Sequence, residues 1–249
     1  MTQAGTARGG WGLRQVVFLA AALVALAILL GLGTWQVQRL GWKENLIATI
    51  EQRVTSEPRP LAEIEQLVAS EGDVDYWPVT VEGTFRHEGE RHFFATHEGK
   101  SGYYIYTPLE LQDGRLLFVN RGFVPFDLKD VSKRQGGQVR GFVRITGLAR
   151  NELDGKPSMM VPDNDPAKNV FYWKDLQAMA GTSGVGQPDN YLRFFVDADD
   201  TPNPGGLPVG GVTMISLPNS HLEYALTWYS LAAVLVGVLA VWLVRQRKT

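Results

Sequence analysis

The sequence predicts an α+β membrane protein, with two transmembrane helices flanking an antiparallel β-rich extracytoplasmic domain of barrel or sandwich type. Three observations carry this. Two apolar runs stand near the ends of the chain, Val16 to Trp35 without any charge and Leu222 to Val244 with Glu223 alone. As helices, runs of about 20 residues span a hydrocarbon core of ~30 Å. Between them lie short alternating segments separated by turn residues. Finally, Arg245, Arg247 and Lys248 follow the second run, whereas no Lys or Arg lies between Arg193 and its start.

That last asymmetry sets the expected orientation, because basic residues stay on the cytoplasmic side. The first run is neutral on this point, with Arg8 and Arg14 before it and Arg39 and Lys43 after it. Two spans return both termini to one side. Residues 1–15 and 245–249 are therefore expected in the cytoplasm or matrix, 16–35 and 221–244 in the membrane, and 36–220 outside. A cleaved signal peptide is the alternative for the first run, since Gly31-Leu32-Gly33 is rich in small residues. The run exceeds the usual signal core of roughly 7–15 residues, which favours an anchor. The residues ahead of it lack the Ser-rich, Arg-rich character of a transit segment. A bacterial inner membrane with a periplasmic domain is thus expected ahead of the mitochondrial inner membrane.

Within the intervening region "LAEIEQLVAS" (Leu61 to Ser70) has helical character, and "PVTVEGTF" (Pro78 to Phe85) alternates as a half-buried strand does. "HFFAT" (His92 to Thr96) follows the turn-like "HEGE". "GYYIYTPLEL" and "RLLFVNRGFV" flank Gln112-Asp113-Gly114, and Asp-Gly is a strong hairpin signal. "QVRGFVRITGLA" (Gln138 to Ala149), "YLRFFVDA" (Tyr191 to Ala198) and "GVTMISL" (Gly211 to Leu217) complete about seven strands. "YWKDLQAMA" (Tyr172 to Ala180) reads as a second short helix and "DADDTPNPGGLPVGG" as a Pro/Gly loop.

Much chemistry is excluded. A net charge of -2 gives no basic field for nucleic acid. The absence of cysteine removes disulfides, thiolate metal sites and CxxC redox chemistry. "EGKSG" (Glu98 to Gly102) resembles the tail of a phosphate-binding loop, but Phe94 stands where that loop needs glycine. "GTSGV" (Gly181 to Val185) lacks the last glycine of a nucleophile elbow. His87, His92 and His97 are spaced by five, which puts strand neighbours on opposite faces, so they read as surface histidines. Met159-Met160 is expected to fill gaps rather than bind copper, and Asp73 and Asp75 to be solvated. No nucleophile, base and stabiliser assemble, so no enzyme is expected.

The mouth of the second apolar run carries His221, Glu223, Tyr224 and Trp228. On the residues alone an interfacial belt is the favoured account, because Trp and Tyr concentrate at membrane surfaces. Helical spacing also aligns His221, Ala225, Trp228 and Ala232 with Tyr224 beside them, a shallow surface between aromatic walls that suits a flat macrocycle. Trp35, Arg39, Trp42 and Lys43 form either an interfacial girdle or, through Arg39 and Lys43 four apart, a face towards anionic groups. Arg121, beside Gly122, is expected to organise a strand end locally.

Three stretches taken together resemble one family: "GTWQVQRLGWKENLI" (Gly33 to Ile47), "LLFVNRGFVP" (Leu116 to Pro125) and "NSHLEYALTWYSLA" (Asn219 to Ala232). Their order and the two-anchor layout are similar to the Surfeit locus protein 1 family of membrane proteins that assist cytochrome c oxidase assembly. Phe123 departs from the Trp usual after Arg-Gly, and Ser220 from the second Asn before the His. The resemblance implies an assembly factor that binds heme a and passes it to the large oxidase subunit. His221 falls on the position implied as axial ligand to the heme iron, with Tyr224 and Trp228 beside it. Because both helix ends reach the same outer level, Arg39 or Lys43 is placed to meet heme propionates. Expected partners are that subunit, the heme a synthesis machinery and membrane lipids. The alternatives are a cofactor-free scaffold for an oxidase subunit, or an enzyme or sensor with a pocket in the outer domain.

Overall fold

The computed structural model describes residues 12–215 and 217–246. In chain order the elements are α1 (Leu13–Val54), β1 (Arg59–Pro60), α2 (Leu61–Ser70), β2 (Pro78–Phe85), β3 (Arg91–His97) and β4 (Lys100–Glu110). They continue with β5 (Leu116–Pro125), β6 (Phe142–Asn151), α3 (Leu176–Gly181), β7 (Tyr191–Ala198) and α4 (His221–Gln246). Two compact units result. One contains the terminal helices up to Thr49 and from the segment before α4, and the other runs from Ile50 to Ile215.

The apolar run of α1 is only its first half. No proline interrupts the polar continuation after Trp35, and the helix stops at Val54, shortly before Pro58. Residues preceding proline are pushed out of helical geometry. Near that end Arg53 donates to the Asp73 carboxylate at 2.9 Å and to the Asp75 carbonyl at 2.9 Å. The aspartates expected to be merely solvated therefore tie the end of α1 into the β-rich unit. In α4 the Asn219 side-chain oxygen accepts from the His221 backbone N–H at 3.3 Å, satisfying one orphan donor of the first turn. Both helices are long and apolar enough to cross a membrane, and only 11% of each apolar window is buried.

In the β-rich unit the strands run in the order β1-β2-β6-β7-β5-β4-β3. A further antiparallel pairing of β2 with β4, Thr84 against Glu110 and Phe85 against Leu109, closes five of them into a barrel. Most neighbours are antiparallel, as expected, but β5 and β7 run parallel, as does the short β1 beside β2. Closure removes the unpaired edges that an open sheet would expose.

Alternation divides each central strand between two cores. In β5, Leu117 and Val119 face an interior shared with Val79, Val81, Leu109, Phe194 and Val196, where Ile64 of α2 also packs. Leu116 and Phe118 point the other way, with Tyr191 and Phe195, into a layer covered by Leu176 and Met179 of α3. Successive side chains leave a strand on opposite faces, so a strand covered twice loses its polar positions. That is why "LLFVNRGFV" is apolar almost throughout.

Two expected elements differ. The segment Gly211 to Ile215 forms no strand, and residue 216 lies outside the described set. Val209 pairs with Phe123 at the end of β5, its N–H donating to that carbonyl at 2.9 Å, and Met214 and Ile215 are exposed. The short helix starts at Leu176 rather than Tyr172 because Asp175 caps it, accepting from the Ala178 N–H at 2.9 Å.

Candidate functional site at the helix pair

Within the terminal unit α1 and α4 run antiparallel. Gln15 donates to Gln246 at 2.7 Å and the rings of Phe18 and Trp242 lie 4.9 Å apart. Towards the other end the Thr34 and Tyr229 hydroxyls are 3.2 Å apart. Buried Ala22, Gly33 and Gln36 of α1 and buried Ala225, Ala232 and Leu239 of α4 follow the three-and-four spacing of a helix–helix seam. Gly33 permits the close approach, since a Cβ there would lie 2.8 Å from the Tyr229 ring.

His221 sits at the first turn of α4, half-buried, with Nδ1 2.7 Å from Oε1 of Gln36. Gln36 is only 8% exposed. One turn further along α4 Tyr224 is exposed, and two turns further Trp228 is half-buried. The alanine surface anticipated for a macrocycle is not open: Ala225 and Ala232 are 2% and 3% exposed and lie on the seam with α1. A ligand at His221 therefore meets the outer side of the helix pair. Arg39 and Lys43 lie beyond Gln36 on α1, Arg39 with its guanidinium carbon 4.3 Å above the Trp42 ring, Lys43 half-buried. Trp35 and Trp42 are both about half exposed, as interfacial residues are. The structure thus brings Gln36 to the imidazole. Sequence reasoning missed Gln36. Its signal is a polar side chain three residues after Gly33, on the same stripe as Ala22 and Leu29.

The other histidines are dispersed, and two of them are not the surface residues the spacing suggested. His92 is buried, its Nε2 donating to Glu90 at 2.8 Å, and Glu90 also receives two hydrogen bonds from buried Arg134. Burial opposes ionisation of Glu90, but the hydrogen bonds from His92 and Arg134 outweigh it and leave the carboxyl below its ordinary range. The His97 ring lies 5.3 Å from that of Phe123, tilted by 44°. Among the described residues no three His, Asp or Glu side chains converge as a metal site.

His87 donates from Nε2 to the Val139 carbonyl at 2.7 Å, and its Nδ1 faces Arg121 at 3.5 Å. Burial is the main cause that lowers its pKa, helped by Arg121 and opposed by the Val139 bond, Glu90 and Glu88. Between that lowered value and the ordinary ~6.5 the unfolded chain holds more protons at this position than the folded one. Stability of the β-rich unit should therefore fall as pH drops below about 6.5, and His87→Gln should flatten that slope. Urea midpoints of the full-length protein in detergent across this window check the expectation. An unchanged slope in the variant would place the titration elsewhere.

Arg121 is 2% exposed, donates to the Gly137 carbonyl and to Asn203 Oδ1 at 3.1 Å, and lies 4.8 Å over the Phe85 ring. Burial pulls its pKa down to about 10. Asn203 returns a bond to the Arg121 carbonyl at 3.2 Å, so this arginine ties a strand end to the Pro/Gly loop. A cleft of about 330 Å³ lies beside it, lined by Phe85, Val139, Ile145 and Asn203 among others. Protein acceptors engage its Nη2, while Arg121 itself also lines the cleft and its buried Nε has no hydrogen-bond partner among the described residues.

An antiparallel pair of apolar helices with a half-buried imidazole at one end, in a chain that also folds a small closed barrel, defines a membrane-anchored barrel protein. The SURF1 family profile matches residues 23–233, a stretch that includes both Gln36 and His221. Surfeit locus protein 1 of Rattus norvegicus is 40% identical over 221 residues, covering 82% of this chain and 68% of the relative. The Homo sapiens protein of that name is 39% identical over 221 residues, 82% and 70% of the two chains. A SURF1-like protein of Monosiga brevicollis is 38% identical over 242 residues, 92% and 87%. The chain belongs to the SURF1 family.

Proposed function

We propose that this protein is a non-enzymatic assembly factor for cytochrome c oxidase, binding heme a at His221 and assisting its insertion into the large oxidase subunit. The observation that carries the reading is the His221–Gln36 contact. An imidazole with Nδ1 engaged by protein keeps Nε2 for a ligand, and its half-burial leaves it reachable. When bound, heme a would supply an iron that the His221 imidazole would hold. Tyr224 and Trp228 stand along α4 to flank the macrocycle, and Arg39 and Lys43 are the cations available to its propionates. The protein's own part is to hold the group against the helix pair and release it to the acceptor subunit.

We infer a bacterial inner membrane as its setting, with the barrel on the periplasmic side. Support comes from the basic residues after Val244, and the pairing of Gln15 with Gln246 puts the two terminal helix ends together. A reporter fused at Thr249 should score as cytoplasmic, and an external score would reverse the orientation.

Co-expression with the heme a synthesis machinery tests the function. Purified protein is expected to carry heme a, detected by its absorption spectrum. Protein that stays colourless while still associating with an oxidase subunit would favour the cofactor-free scaffold.

A further inference from the structure

We propose that Gln36 is a positioning residue for His221, holding its imidazole in the tautomer that has hydrogen on Nδ1 and a bare Nε2. The inference rests on the reading of His221 as an iron ligand, and it assigns α1 a role that the ligand alone does not explain.

Gln36 occupies the helix seam, where a polar side chain is costly unless it is hydrogen-bonded. Its amide oxygen faces His221 Nδ1 at 2.7 Å. A carbonyl oxygen only accepts, so the imidazole nitrogen opposite must carry the hydrogen. A neutral imidazole has one N–H, which leaves Nε2 with its lone pair directed away from α1. The opposite tautomer would set two lone pairs against each other at hydrogen-bond distance. The contact also fixes the ring about its own bonds, since Gln36 is held on α1 one turn after Gly33, where Tyr229 packs. Partners of this kind orient a ligating histidine and raise its basicity, and their loss typically weakens metal binding by about 10–100-fold.

The test begins without heme. Full-length protein with ¹⁵N-labelled histidine in detergent should show, for the resonance absent from His221→Ala, a protonated Nδ1 and a bare Nε2. Gln36→Met, of similar size but without an acceptor, should lose that preference, whereas Gln36→Glu should keep it. With heme a, Gln36→Met should bind about tenfold or more weakly, and Gln36→Glu should restore binding. A bare Nδ1 in the wild type, as an amide turned end for end would produce, overturns the inference and leaves His221 as ligand. So does a Gln36→Met protein with unchanged tautomer and affinity. A wild type that binds no heme a overturns the ligand reading instead, and with it the purpose given to Gln36.

Discussion

Replacing His221 by alanine is expected to abolish heme a binding while leaving the protein folded in the membrane. The ring lies at the first turn of α4 and is half-buried, so its removal opens no enclosed cavity. Alanine is a strong helix former, and the Asn219 cap acts on the backbone N–H of residue 221, which remains. The structural cost is the amide of Gln36 left without its partner, about 1–3 kcal/mol for an unsatisfied buried group. The functional cost is larger. Loss of a hydrogen-bonded partner behind a ligand weakens binding by about 10–100-fold, so loss of the ligand itself should exceed a hundredfold. Absorption spectra of wild type and variant, purified from membranes at matched protein levels, decide the matter. Equal occupancy with an unchanged spectrum would make His221 an interfacial residue and transfer the function to a cofactor-free scaffold.

Gly122→Ala should be the most damaging small substitution in the barrel, at roughly 3 kcal/mol or more. Gly122 adopts φ +122, outside the range of L residues with a Cβ, and the added carbon would point into the Val209 carbonyl. The surrounding backbone is held against relief. Phe123 N–H donates to the Val209 carbonyl at 2.8 Å, Gly122 N–H to Asn120 Oδ1 at 3.1 Å, and Asn120 Nδ2 to Asp197 at 3.1 Å. Gly99→Ala supplies the comparison, since Gly99 has φ +75 but open space around it. Its cost should be about 1 kcal/mol, from backbone conformation alone. Urea midpoints of the two full-length variants test this. If Gly122→Ala unfolds no more readily than Gly99→Ala, the β5 end is looser than its hydrogen bonds imply.

Several features of this molecule were legible in its sequence because they depend on neighbours a few residues apart. Apolar length sets both membrane-competent helices. Alternation sets β2 to the residue, the apolar run at Tyr191 to Ala198 matches β7, and Asp113-Gly114 sets the β4–β5 hairpin. Leu61 to Ser70 reads as helix from its own spacing. His221 was singled out as a candidate only through the combined motifs, since its type and position equally suit an interface.

What depends on distant partners could be decided only by the tertiary structure. The β2–β4 pairing that closes the barrel joins residues that no local pattern links, and β5 and β7 pair in parallel across an intervening strand and helix. Gly211 to Ile215 alternates like a strand but has no partner strand, because Val209 pairs at the end of β5 instead. The rows of small residues at Ala225 and Ala232 look open on a helical projection, yet α1 lies along them. His92 reads as a surface residue from its spacing, yet it is buried against Glu90, which Arg134 also holds. Gln36 reached His221 by the same route: helical periodicity names the face a side chain occupies, and packing chooses the group it meets.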